Sequence, residues 1–128
     1  MPDGGAEMIL NKTATLYRHT GEDNSHKAVY DIYTLQNVYY TDTTAVVRAD
    51  TAPADVLVLY AFDAKSTVRD TSGRRVTEWT AREEDIIVPG EHGAVEKPAT
   101  LEGARKVISC ARLKAGSRRM WHRKVVAK

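Results

Sequence analysis

The sequence predicts a mainly β protein: a small antiparallel barrel or sandwich with at most one short helix and one long loop. Three observations carry this. Six or seven short runs are rich in Tyr, Val, Ile and Thr or alternate along the chain, as strands do. Clusters of Gly, Pro, Asn, Asp and Ser fall between them. Almost nothing reads as helix, so under about a fifth of the residues should be helical, against the usual third.

The opening Met1-Pro2-Asp3-Gly4-Gly5 has no periodicity, and Met8 offers an alternative start. Residues 1–7 are therefore expected to be a flexible extension and residues 8–128 one barrel domain. Thr13 to His19 reads as the first strand, with Thr13, Thr15 and Tyr17 on one face and Ala14, Leu16 and Arg18 on the other. After turn chemistry at Thr20–Ser25, Lys27 to Tyr40 reads as a long strand with Tyr30, Ile32, Val38 and Tyr40 on one face. A shorter strand is expected at Thr44–Ala49 around Val46 and Val47, with a break at Thr51–Ala54. Asp55 to Phe62 is apolar on both faces and should be central. Residues 63–77 are polar and basic and read as a long loop without regular structure, which is usually functional or disordered. Glu84–Val88 is a brief strand ended by Pro89-Gly90, and Glu83-Glu84-Asp85 before it reads as a solvated acidic run. A helical turn is expected over Thr100–Arg105 with Thr100 as N-cap. Lys106–Leu113 and Met120–Ala127 read as the last two strands, joined by a turn at Lys114–Ser117. The expected core holds Val56, Val58, Leu59, Tyr60, Ile87, Val107 and Ile108.

Hydrophobic residues at 42% and charged residues at 28% of 128 place the chain among globular domains and not disordered ones. The lone Cys110 reads as a small apolar strand residue, and a chain with one cysteine fits a reducing compartment. No apolar run approaches the roughly 20 residues of a membrane span, and no signal-peptide pattern opens the chain. His19, His26, His92 and His122 lack metal-ligand spacing, and no phosphate-cradling glycine loop appears. The residues therefore point to no enzyme, no cofactor and no metal.

Charge is unevenly spread. Residues 105–128 hold nine basic residues and no acidic one, which leaves ten basic against seventeen acidic residues, a charge of −7, in 1–104. Arg118, Arg119, Trp121, His122, Arg123 and Lys124 mix cations with an aromatic. That mixture suits a nucleic-acid surface with Trp121 as stacking platform, a docking patch for an acidic protein, or an edge strand blunted against pairing. Lys65, Arg69, Arg74 and Arg75 in the long loop carry the same ambiguity.

The order of these features resembles a known family. Thr15-Leu16-Tyr17, then Asn37-Val38-Tyr39-Tyr40, then Trp79-Thr80-Ala81-Arg82-Glu83-Glu84-Asp85-Ile86-Ile87-Val88-Pro89-Gly90, and finally Gly116-Ser117, Met120-Trp121-His122 and Val125 run through residues 8–128. This is similar to small head-completion proteins of tailed phages and prophages of Firmicutes. Those carry an aromatic-Thr, a Gly-Asp-Ile-Ile-Val-x-Gly segment and a final Gly-Ser turn before a His-Trp strand. Here Glu84 stands in place of the glycine, and Trp121-His122 reverses the last pair. The resemblance implies a head-closure (stopper) or adaptor protein. It would form a six- or twelvefold homo-oligomeric ring between portal and tail, extend the DNA channel, and reside in the virion after assembly in the host cytoplasm. Its partners would be further copies of itself, portal or adaptor proteins and tail or neck proteins, with non-specific contact to packaged DNA and no membrane. The 63–77 loop would face the channel or a neighbour. The alternatives are a tail-terminator or neck protein of the same particle, and an OB-like nucleic-acid-binding module.

Overall fold

The computed structural model describes residues 9–42, 56–114 and 116–128. They form seven strands: β1 (Lys12–Glu22), β2 (Ala28–Asp42), β3 (Leu57–Phe62), β4 (Thr67–Arg69), β5 (Ile86–Pro89), β6 (Arg105–Leu113) and β7 (His122–Ala127). Single 3₁₀ turns stand at Pro98–Thr100 and Arg118–Met120. All pairings are antiparallel, in the order β1-β5-β6-β7-β3-β2-β4. A further β1–β2 pairing closes the sheet into a ring. The mainly β class expected from the sequence is the class observed. The strand expected at Thr44–Ala49 and the break at Thr51–Ala54 lie outside the described residues.

The bend of β2 shapes the ring. Lys12 pairs with Val38 but Thr13 pairs with Gln36, so Asn37 is an extra residue. It takes φ 57°, a left-handed conformation that asparagine tolerates better than most residues. The extra residue flips the alternation. Before it, Tyr33 and Leu35 face the barrel core; after it, Val38 and Tyr40 do. Tyr30 and Ile32 pack instead on an outer cluster with Tyr17, Ile86 and Val88. The expectation that Tyr30, Ile32, Val38 and Tyr40 share a face is thus corrected, because one bulge residue shifts a period of two by half.

Opposite this bulge the neighbouring chain also breaks. β3 pairs with Tyr39–Asp42 and β4 with Thr34–Gln36, so both follow one edge of β2 with a kink between them. Ser66, 8% exposed, fills the kink. Its hydroxyl donates to the Asn37 carbonyl at 2.6 Å and accepts from the Phe62 N–H at 2.9 Å. Beyond β4, Asp70 organises a tight hairpin, its Oδ1 accepting from Ser72 N–H, Ser72 O–H and Arg74 N–H at 2.9, 2.6 and 3.0 Å. The Ser72 hydroxyl bond, ahead of the backbone donors, holds the Asp70 carboxyl below its ordinary value. The 63–77 segment is therefore not a structureless loop. It contains β4, buries Val68 and returns through an Arg69–Arg75 bridge.

The inner core comprises Ala14, Leu16, Leu35, Val38, Leu57, Leu59, Ala61, Val68, Trp79, Ala81, Ile87, Val107, Val125 and Ala127. Of the residues expected to be buried, Leu59, Ile87 and Val107 are so. Val56, Val58 and Tyr60 are only half-buried, because β3 points Leu57, Leu59 and Ala61 inward and its other residues outward. Ile108 is 46% exposed, turned out at a bulge between Val107 and Ser109.

Segment 90–104 covers the outer cluster. Thr15, completely buried, donates to the Gly90 carbonyl at 2.8 Å and accepts from the His92 N–H at 2.9 Å. The Tyr17 hydroxyl donates to the Gly93 carbonyl at 2.7 Å. Gly90, at φ 88°, makes the turn out of β5 that aims this segment back. Thr100 is the last residue of its 3₁₀ turn and not an N-cap, and Arg105 begins β6. Asp85, expected in solvent, is completely buried and accepts from the His19 and Arg82 N–H groups at 2.9 and 3.0 Å.

Two outcomes follow. In urea denaturation Leu59→Ala should lose about 2–5 kcal/mol by cavity formation, and Val58→Ala about 1 kcal/mol or less; equal losses would contradict the inward–outward assignment. Asn37→Gly should be near neutral and Asn37→Val should lose about 1–2 kcal/mol, since a β-branched residue resists positive φ.

Candidate functional site

The end of the barrel where β3 stops and β7 begins collects the residues singled out by charge. Strand alternation turns Arg123 inward, where it is 5% exposed. Its Nη1 lies 3.5 Å from Asp63 Oδ1 and its Nη2 3.7 Å from Glu78 Oε2. Its guanidinium stacks over the Trp79 ring at 5.0 Å. Arg112 donates to Asp63 Oδ2 at 2.8 Å and to Glu78 Oε2 at 3.2 Å. Burial, then the nearby Arg112, pulls the pKa of Arg123 down, while the Asp63 hydrogen bond pushes that of Arg112 up. Both guanidiniums stay charged, and two carboxylates balance them.

Arg75 lines the same small pocket as Arg112 and Arg123. The structure thus brings the 63–77 segment and the C-terminal hairpin to one barrel end. Lys65, Arg69, Arg74 and Arg75 are all exposed, but Arg69 lies instead beside Thr34, Gln36 and His92, and donates to the Gly73 carbonyl at 2.9 Å. Arg118 and Arg119 are exposed on their 3₁₀ turn. Trp121 is half-buried, with Arg118 and Lys114 over its ring at 5.5 and 5.3 Å. Arg123 belongs to the interior cluster and is separate from this exposed set.

His122 and Lys124 point to the outer face of the sheet. Cross-strand registers place Leu113 beside His122 and His122 beside Phe62. The next row runs Ala111, Lys124, Tyr60 and Tyr39. Aromatic rings follow one another across it: Tyr39 to Tyr60 at 6.3 Å, Tyr60 to His122 at 5.9 Å, His122 to Phe62 at 4.9 Å. Lys124 Nζ lies 6.0 Å from the Tyr60 ring and Lys12 Nζ 5.6 Å from the Tyr39 ring. With Leu113 at 41% exposure beside His122, this is an apolar face edged by cations.

Sequence reasoning missed Asp63, Glu78, Trp79 and Arg112, whose cluster forms only when β3, β6 and β7 meet. It also missed Tyr39, Tyr60 and Phe62 as a surface, although β3's apolar character on both faces was the available signal. Among the described residues no group of His, Cys, Asp or Glu is arranged to hold a metal ion, and no helix is long and apolar enough to cross a membrane.

These features define a small antiparallel β-barrel with a cation-edged apolar face. The chain belongs to a protein family of unknown function, DUF6751, whose pattern matches residues 9–128. No curated protein and no solved structure matches it.

Removing one partner from the interior cluster should be costly. Asp63→Ala should lose about 3 kcal/mol, since Arg123 keeps a buried charge with weakened compensation. Arg119→Ala should stay within about 0.5 kcal/mol. Guanidinium is unsuitable for this comparison because its ions screen charges; thermal unfolding at low salt is the measurement.

Proposed function

We propose that this protein is a structural subunit of a tailed-phage head–tail connector, a stopper or adaptor that assembles as a six- or twelvefold ring between portal and tail and extends the DNA channel. The observation that carries the reading is the cation-edged apolar face. A lone domain gains little from half-exposed Val58, Tyr60, Phe62 and Val126 on the adjacent strands β3 and β7, whereas an assembly protein covers such a face. The resemblance through residues 8–128 supplies the kind of assembly, and the small barrel is consistent with the fold that resemblance implies. The exposed cations of Arg69–Arg75 and Arg118–Arg119 suit contact with a neighbour, an acidic portal or tail protein, or the DNA backbone. A tail terminator or neck protein would use the same surfaces one layer away.

An OB-like nucleic-acid module fits less well. Trp121 as a stacking platform would need an open ring face, and Lys114 and Arg118 already lie over it.

Deleting the gene from the phage genome should yield heads that fail to join tails, emptied of DNA if the chain is the stopper, and quantitative mass spectrometry of wild-type particles should find six or twelve copies. Normal tailed particles lacking the chain would overturn the reading. Duplex DNA should bind no tighter than about 10⁻⁴ to 10⁻⁶ M at physiological salt; nanomolar binding abolished by Trp121→Ala would favour the nucleic-acid module.

A further inference from the structure

The apolar, cationic turn has a candidate counterpart on the same chain. The turn at Arg118–Met120 is a firm projection: Met120 N–H donates to the Ser117 carbonyl at 2.9 Å and Trp121 N–H to the Arg118 carbonyl at 3.2 Å. A His122 ring nitrogen lies 2.9 Å from the Met120 carbonyl. At its tip Met120 is 58% exposed, flanked by exposed Arg118 and Arg119.

At the other end of β6 lies a shallow groove. Tyr30, Ile86 and Ile108 give it apolar walls. Glu22, Glu83 and Glu84, all exposed, line it from the β1–β5 side, and Lys106 and Lys128 from the β6–β7 side. Glu84 also faces His19 Nδ1 at 3.4 Å, which leaves Glu22 and Glu83 as carboxylates with no cation beside them among the described contacts. An apolar tip between two arginines fits an apolar groove with carboxylates on one side. The lysines on the other side fix the direction of approach, since the arginines must lie along β1 and β5.

β6 is nine residues long, so turn and groove are roughly 25 Å apart on one subunit and cannot meet within it. A twofold contact of turn with turn would set cation against cation. A contact of turn with groove on a second copy joins opposite charges, and such heterologous contacts close into rings when the rotation permits.

We infer that subunits join head to tail, with the Arg118–Met120 turn of one copy seated in the Glu22/Glu83 side of the groove of the next. This rests on the ring reading proposed above and adds the two surfaces that make the ring. The test is a charge exchange in the full-length chain. R118E/R119E and E22R/E83R should each weaken self-association at least tenfold in sedimentation velocity, with melting temperature nearly unchanged. The chain carrying all four substitutions should recover to within about threefold of wild type. The inference is overturned by a wild-type chain that stays monomeric to millimolar concentration, by oligomers indifferent to both reversals, or by two damaging reversals that do not rescue one another. Particle phenotype on deletion is read separately, so connector function would survive the loss of this contact.

Discussion

Closure of the barrel depends on one bent strand. β2 must pair with β1 along one edge and with both β3 and β4 along the other. A straight strand cannot turn its inner face from one side of a small ring to the other. The extra residue at Asn37 makes that turn by exchanging which residues point inward. Its carbonyl, freed from the ladder, is taken by the Ser66 hydroxyl at the matching kink of the facing chain. Two irregularities thus stand opposite each other and satisfy each other's backbone groups. Without them, either Leu35 or Val38 would leave the core.

Carboxylates then anchor both ends of the barrel, buried at one end and partly exposed at the other. At one end Asp85 receives two backbone N–H groups and lies 3.7 Å from Arg18 Nε, fixing the start of β5 against β1. At the other, Asp63 and Glu78 bind Arg112 and Arg123 and so hold β3, β6 and β7 together. The second cluster also explains part of the uneven charge. Two of the nine C-terminal cations are answered by carboxylates of the acidic remainder within the same molecule. The turn cations Arg118 and Arg119 have no such answer among the described contacts, which is why they remain the surface of interest.

Much of the fold was legible because β structure writes itself locally. Tyr, Val and Ile runs marked β1, β2, β3, β6 and β7, and Pro89-Gly90 marked the exit from β5. What was hidden was non-local. Asn37 does not announce a bulge, so every residue before it was set on the wrong face relative to those after it. Residues 63–77 looked like loop because only Val68 enters the core from β4, too little to show a pattern. Asp85 looked solvated because its partners, at positions 18, 19 and 82, converge only in the folded chain. The site was legible in part: charge composition found Arg118 and Arg119, but it counted Arg123 among them because sequence does not reveal that alternation turns this residue inward. The doubly apolar β3 was visible from the start, and its meaning changed once the outer half proved uncovered.

The strand order carries a consequence for synthesis. β1 is completed by β5, and β3 lies between β2 and β7, the most C-terminal of the described strands. No early set of strands can bury both Leu16 and Leu59 by itself. While the chain emerges from a ribosome, its first hairpin of β1 and β2 must wait with one edge open until residues near the C-terminus arrive. Such distant pairings are intrinsically slow to form. Until those residues are made the growing chain presents its stickiest surface, and a cell that makes it in quantity will need chaperones at the nascent stage more than for the finished barrel.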